Sequence, residues 1–122
     1  MGRGICVLIV DGHSGRFCIN DDGMSRMVRV VNEPGDASMS PAETQRSFAW
    51  RLMSDLYNEV RTRLPGGIVI VAAPAMLQEL NHLMIPQIRR LVIAEIAGGT
   101  GPEEHPGGHA TAARGMVNAC PA

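Results

Sequence analysis

Apolar residues fall into short runs separated by turn residues. Ile5–Val10 is continuous and rich in β-branched residues, which is typical of a strand buried on both faces. Arg16–Asn20 and Met27–Val31 follow, with the turn signal Asn-Asp-Asp-Gly between them. Two further apolar runs occupy Ile68–Ala72 and Leu91–Ile96. The pattern predicts five strands, the first three of which form an antiparallel meander.

Two helices are predicted between the later strands. Ser40–Glu43 combines an N-cap serine, a proline suited to the first helical position and a glutamate that completes a capping box. A second helix is predicted from Pro74, with an end or a kink at Pro86. The inner face of the first helix carries apolar residues at four-residue spacing: Phe48, Leu52, Leu56 and Val60.

The resulting order, β-β-β-α-β-α-β, predicts the α/β class. Hairpins make the first three strands antiparallel neighbours, and helical crossovers place the later strands parallel to the first. We therefore expect a five-stranded mixed sheet in the order 3-2-1-4-5, within a single domain over residues 1–98. Residues 99–122 form a Gly/Pro-rich tail, in which only His109–Val117 could be a short helix.

Composition narrows the classes of function. The net charge is −1 and all eleven basic residues are arginine, so a strongly basic DNA-binding protein is not expected. The apolar run at the start is too short for a signal sequence or a membrane span. The three cysteines include no CxxC pair, which favours reduced thiols and a cytoplasmic location. No cofactor and no membrane association are predicted.

The stretch VDGHSGRF at the end of the first strand is the main candidate site. In an open sheet with crossovers, ligands favour the crevice beyond the carboxyl ends of the strands, where residues from the first and fourth strands would meet. Alternatively, the stretch is only a turn, capped by the first aspartate and with positive φ at Gly12 and Gly15. The candidate ligand-binding residues are Asp11, Gly12, His13, Arg16, Pro74 and Glu95.

No catalytic constellation is evident. Asp11 and Glu95 are the only carboxylates at plausible strand ends, which is too few for a two-metal site. His105 and His109 have ligand spacing but lack partners, so no metal site is predicted. His13 and Ser14 are adjacent on a turn, a geometry that rarely joins a base to a nucleophile.

Several segments of the sequence resemble segments of the bacterial host attachment proteins, which are relatives of the archaeo-eukaryotic peptide-chain release factors. The most specific is IVIVAAPAMLQEL; VLIVDGHSGRFCIN, FAWRLMSDLYNEV and RRLVIAEIAGGTGPEEHP are more generic. The resemblance covers roughly residues 5–106 and implies a ribonuclease H-like fold, as in the release factor middle domain. Asn81 stands where the family usually has arginine, and no Gly-Gly-Gln word for peptide release is present.

Three functions are consistent with these features. The resemblance implies a non-enzymatic binding or adaptor domain. An RNA- or ribosome-associated module is the first alternative, with a surface supplied by Arg46, Arg51, Arg61, Arg63, Arg89 and Arg90. A small hydrolase using the Asp11–His13 crevice is the second.

Finally, the pattern predicts a homo-oligomer, most simply a dimer. Right-handed crossovers place both helices on one face of the sheet. The central strands are apolar on both faces, and the tail is too short to cover the second one. A bare apolar face of that size is rare in a soluble monomer, and two-fold pairing would close it.

Overall fold

The computed structural model describes residues 4–35 and 37–98. Its sheet has the order β3-β2-β1-β4-β5, with β1 antiparallel to β2 and parallel to β4. This confirms the predicted class and strand order; the expected tail at 99–122, with its helix at His109–Val117, lies outside the described residues. The elements are β1 (Ile5–Asp11), β2 (Ser14–Asp21), β3 (Met24–Asn32), α1 (Pro41–Arg63), β4 (Gly67–Ala72), α2 (Pro74–Leu83), α3 (Pro86–Arg89) and β5 (Val92–Ala97).

Helix α1 begins where the sequence predicts. The Ser40 hydroxyl accepts a hydrogen bond from the Glu43 backbone N–H at 3.1 Å, and Glu43 Oε1 accepts one from the Ser40 N–H at 2.8 Å. These two bonds satisfy donors that helix geometry leaves without partners. The same bonds from Ser40 lower the pKa of the exposed Glu43 carboxyl.

We expect Ser40→Ala to lower the free energy of unfolding by about 1 kcal/mol, because it removes the side-chain acceptor of the cap. Urea denaturation at neutral pH would measure the change. Ser47→Ala, in the middle of the same helix, is the matched control. An equal effect of both substitutions would mean that the loss at Ser40 is not a capping effect.

The β1–β2 hairpin is tighter than the sequence suggested. Asp11 pairs with Ser14, so only Gly12 and His13 form the turn, and Gly12 has φ 61°. Glycine at the first position of a two-residue turn is typical of type II′ hairpins. The expected positive φ at Gly15 is wrong, because Gly15 lies within β2 and pairs with Val10.

The register set by this turn places two cysteines on opposite faces of the sheet. Cys6 pairs with Ile19, and Cys18 pairs with Val7. Since side chains alternate along a strand, Cys6 lies on one face of the sheet and Cys18 on the other. Cys6 is a free thiol whereas Cys18 is disulfide-bonded, so the expectation that Cys18 is reduced is wrong.

The helices pack on one face of the sheet, which we call the first face. Its core joins strand residues such as Leu8, Phe17 and Ile70 to Leu52 of α1 and Leu80 of α2, all fully buried. No helix in the described ranges is both long and apolar enough to cross a bilayer.

The opposite, second face of the sheet carries a smaller apolar cluster: Val7, Ile9, Cys18, Val69 and Val71. None of these side chains is more than 3% exposed. The expectation that this face is bare within one chain is therefore wrong. The predicted dimer was inferred from this bare face. It stays a prediction, but the bare face no longer supports it.

Candidate functional site

A cleft of about 510 Å³ opens beyond the carboxyl ends of the parallel strands β1 and β4. This is the place where open α/β sheets bind ligands, and the size lies within the range of small-ligand sites. Strand ends, the loop before α1 and the first turns of α1 and α2 form its walls. The lining residues are Val10, Gly12, His13, Glu33, Met39, Pro41, Thr44, Gln45, Ala73, Ala75, Met76 and Gly98.

At one edge of the cleft, two hydrogen bonds connect the β1–β2 turn to the segment after β3. The Glu33 backbone N–H donates to the His13 carbonyl at 2.7 Å, and His13 Nδ1 lies 2.7 Å from Glu33 Oε1. A carboxylate can only accept, so the imidazole Nδ1–H is the donor. The His13 side chain is nevertheless 87% exposed, which leaves its other ring nitrogen accessible from the cleft.

Two helix N-termini border the cleft and differ in how they are capped. Ser40 caps α1, but Ala73 at the N-cap of α2 provides no side-chain hydrogen bond. Pro74 has no N–H, so Ala75 and Met76 carry first-turn N–H groups without a partner in the helix. These groups can donate to a ligand whose acceptor reaches the mouth of the cleft.

The sequence matches one protein family over residues 19–99, the family described as "Protein required for attachment to host cells". The chain belongs to this family. No curated protein matches it significantly.

Solved structures show the same fold for this family member. A protein titled "Archaeal protein" matches with a TM-score of 0.53 at 11% identity, over 95% of this chain and 38% of that one. An archaeal translation termination factor matches with a TM-score of 0.54 at 9% identity, with the same coverage. The chain thus spans 38% of the length of each, and at such identities the likeness concerns the fold alone.

The cleft contains two of the six residues predicted from the sequence. Gly12 and His13 line it. Asp11 is exposed, and Pro74 lies between two lining residues without lining the cleft itself. Arg16 pairs with Ile9, whose side chain belongs to the second face, so it points away.

Glu95 has a structural partner instead of a place in the cleft. Asn81 Nδ2 donates to Glu95 Oε1 at 2.9 Å and to the Leu77 carbonyl at 2.9 Å. Arg89 Nη1 in turn donates to Asn81 Oδ1 at 3.2 Å. Asn81 thus joins α2, α3 and β5.

Several arginines of α1 and β3 have partners on α1. Glu59, which is 4% exposed, accepts from Arg29 Nε at 3.0 Å and from Arg63 Nε at 2.6 Å. Asp55, 7% exposed, accepts from Arg51 Nε at 3.0 Å. Arg61 lies over the Tyr57 ring, 5.7 Å from its centroid. Three of the six arginines proposed for RNA binding are therefore engaged on α1.

Several lining residues could not be found from the sequence. Glu33 and Met39 lie in a loop with no periodic pattern, and Thr44 and Gln45 resemble any polar residues on a helix. Their only signal was position, since the first turn of a crossover helix borders the carboxyl edge of the sheet. Within residues 4–35 and 37–98, no group of three His, Cys, Asp or Glu side chains could hold a metal ion.

Proposed function

We propose that this chain is a non-enzymatic binding domain that recognises its partner through the cleft at the carboxyl ends of β1 and β4. The observation that carries the proposal is the composition of the cleft wall. Apolar side chains such as Val10 and Met76 stand beside hydrogen-bonding groups on Thr44, Gln45 and His13. Apolar walls with a few placed polar groups are typical of recognition sites.

The arrangement of the polar groups supports binding over catalysis. Glu33 accepts a hydrogen bond from His13 Nδ1 and orients the ring, as a carboxylate does in many catalytic sites. However, Asp11, which the hydrolase alternative requires, does not line the cleft. Hydrolysis through a covalent intermediate would need a side-chain nucleophile within hydrogen-bond reach of the imidazole, and the side-chain contact that the structure gives His13 is to Glu33. The hydrolase alternative has less support for this reason.

The RNA alternative also has less support. Single strands are usually held by a groove of free cations and by aromatic platforms. Arg51 and Arg63 are paired with carboxylates that are themselves buried. Glu33 further places a negative charge at the edge of the cleft.

The family description connects its members with attachment to host cells, and we propose that the cleft serves this role here by holding a surface component or an adaptor segment. Such a ligand would place an apolar group against Val10 and Met76. It would offer an acceptor to the N–H groups of Ala75 and Met76 at the uncapped start of α2.

Ala75→Arg tests the proposal, because Ala75 is exposed at the cleft wall and a long side chain there fills the cleft. In cells that depend on this protein, we expect attachment to host cells to fall about tenfold or more, as for a loss of at least 1.4 kcal/mol of binding. His82→Arg is the control: it adds the same charge at an exposed site farther along α2.

Both variants must first show a wild-type circular dichroism spectrum and melting temperature. Normal attachment with a folded Ala75→Arg variant would mean that the cleft is not the recognition site. Equal loss in both variants would point to charge, and would also contradict the proposal.

A further inference from the structure

A second cleft, of about 320 Å³, lies at the end of the sheet opposite to the first. It opens between the last turn of α1 and the β2–β3 hairpin, next to Gly4 and Pro65, which lie shortly before β1 and β4. We call it the amino-end cleft. Among the described residues, none lines both clefts, so an inference about this one is independent of the function proposed above.

One wall of the amino-end cleft contains Arg26 of β3. Arg26 pairs with Ile19 of β2, which belongs to the core of the first face, and directly opposite residues share a face of the sheet. Arg26 therefore lies on the face that α1 covers, but on an edge strand, where it is exposed. Within residues 4–35 and 37–98 it forms no ion pair. Its guanidinium is thus available to a ligand in the cleft.

A second arginine, Arg63, lines the cleft from the last turn of α1 and is held there by a buried carboxylate. Its Nε donates to Glu59 Oε1 at 2.6 Å, and Glu59 also accepts from Arg29 Nε at 3.0 Å. Nε carries one of the five N–H donors of a guanidinium, and the two terminal nitrogens carry the other four. A guanidinium that is already held in place loses little freedom when it binds a ligand, which favours affinity.

The rest of the lining includes a hydroxyl and two apolar side chains. Thr62, adjacent to Arg63 in sequence, lines the cleft and can donate through its hydroxyl. Two guanidinium groups and this hydroxyl are suited to an anion with several acceptor oxygens, since charge-assisted hydrogen bonds are the strong ones. Ile19 and Pro65 form an apolar part of the wall, against which a small organic group would pack.

The charges around the cleft favour a dianion over a single carboxylate. Asp21 lines the cleft, and the end of α1 carries a partial negative charge, so both oppose an anion. Cations nevertheless outnumber carboxylates in the cleft and in the ion-pair network that includes Arg63: Arg26, Arg29, Arg51 and Arg63 against Asp21, Asp55 and Glu59. A phosphate group, with up to two negative charges and three acceptor oxygens, gains more from this excess than a carboxylate does.

We propose that the amino-end cleft binds a small phosphate monoester. The phosphate lies between Arg26 and Arg63 and accepts a hydrogen bond from the Thr62 hydroxyl, and the organic part packs against Ile19 and Pro65. No bond is made or broken in the ligand. The size of the cleft lies at the lower end of the range for small-ligand sites, which agrees with a phosphate that carries only a few further atoms.

A titration of the ¹⁵N-labelled full chain with glycerol 2-phosphate, followed by NMR at low ionic strength, tests the proposal. We expect saturable shifts of the Arg26 and Arg63 Nε–H signals and of the Thr62 amide. Arg26→Met should weaken binding about tenfold or more. Arg26 is preferred to Arg63 because Arg63 also supports Glu59. Arg46→Met is the control, since it removes the same charge at an exposed site about 25 Å along α1 from Arg63.

Two further measurements identify the class of ligand. Asp21→Asn should strengthen binding of the ester several-fold, because it removes the opposing charge, and acetate should bind several-fold more weakly than the ester. If Arg26→Met lacks the wild-type circular dichroism spectrum, Thr62→Val takes its place, with weaker binding again expected. The absence of saturable shifts in the wild type, or equal effects of Arg26→Met and Arg46→Met, would overturn the site. Weaker binding by Asp21→Asn, or acetate bound as tightly as the ester, would overturn the assignment of a phosphate.

Discussion

The Arg29→Met/Arg63→Met double variant is expected to lose about 2–4 kcal/mol of unfolding free energy relative to the wild type. Both guanidinium groups donate to Glu59, whose side chain is 6% exposed. Without the two arginines, the buried Glu59 carboxylate has no cationic partner. An unpaired buried charge destabilises the fold more than removal of the arginines and the carboxylate together. The loss is reduced by solvent, since the arginine side chains are 40% and 33% exposed.

Urea denaturation at neutral pH measures this loss. Two further variants, one rescue and one control, test whether the unpaired Glu59 carboxylate is its cause. Adding Glu59→Met to the double variant should recover most of the stability, because no charge is then left unpaired. Arg26→Met, an exposed arginine of the same strand, should change stability by less than about 0.5 kcal/mol. Failure of Glu59→Met to restore stability would contradict a penalty for an unpaired buried charge.

The second large effect is expected at Gly15, where β2 approaches α1 closely. A Cβ atom there would lie 2.5 Å from Leu52 Cδ2, and Leu52 is fully buried. The backbone of Gly15 has an ordinary negative φ, so its role is to leave space and not to permit an unusual conformation. We expect Gly15→Ala to lower the free energy of unfolding by about 1–3 kcal/mol through overpacking.

A double-mutant cycle with Leu52→Ala identifies the cause. Leu52→Ala alone should cost about 2–5 kcal/mol because it leaves a cavity, but in its presence Gly15→Ala should cost nothing or stabilise. Gly35→Ala is the control, since no atom lies within 4 Å of the Cβ position at Gly35. Additive effects of Gly15→Ala and Leu52→Ala in urea denaturation would contradict a direct clash.

The fold was predictable because its signals are local and agree with one another. The capping box at Ser40 and the apolar runs of β1 and β4 each identify one element, and the handedness of crossovers then orders the strands. The register was not predictable in the same way. The word Asp-Gly-His-Ser-Gly contains two glycines, of which Gly12 takes a positive φ and Gly15 leaves space for Leu52, and no local pattern distinguishes these two roles.

The position of the site was predictable, but most of its residues were not. A topological rule led to Gly12 and His13, since it requires only the end of β1 and the order of the strands. Glu33 comes to the cleft through its bonds to His13, a contact between segments that no local pattern encodes. Glu95 was proposed because it interrupts an apolar strand, and its explanation is the hydrogen bond from Asn81.

The central position of β1 has a consequence for biosynthesis. β1 pairs with β2 through a two-residue turn, but its other edge pairs with β4, which is translated only after the whole of α1. A nascent chain can therefore form the β1–β2–β3 meander while one edge of its most apolar strand is still unpaired. Such an edge is a template for pairing with other chains. The interval between translation of Asn32 and Ala72 is thus the period in which this protein is most exposed to aggregation.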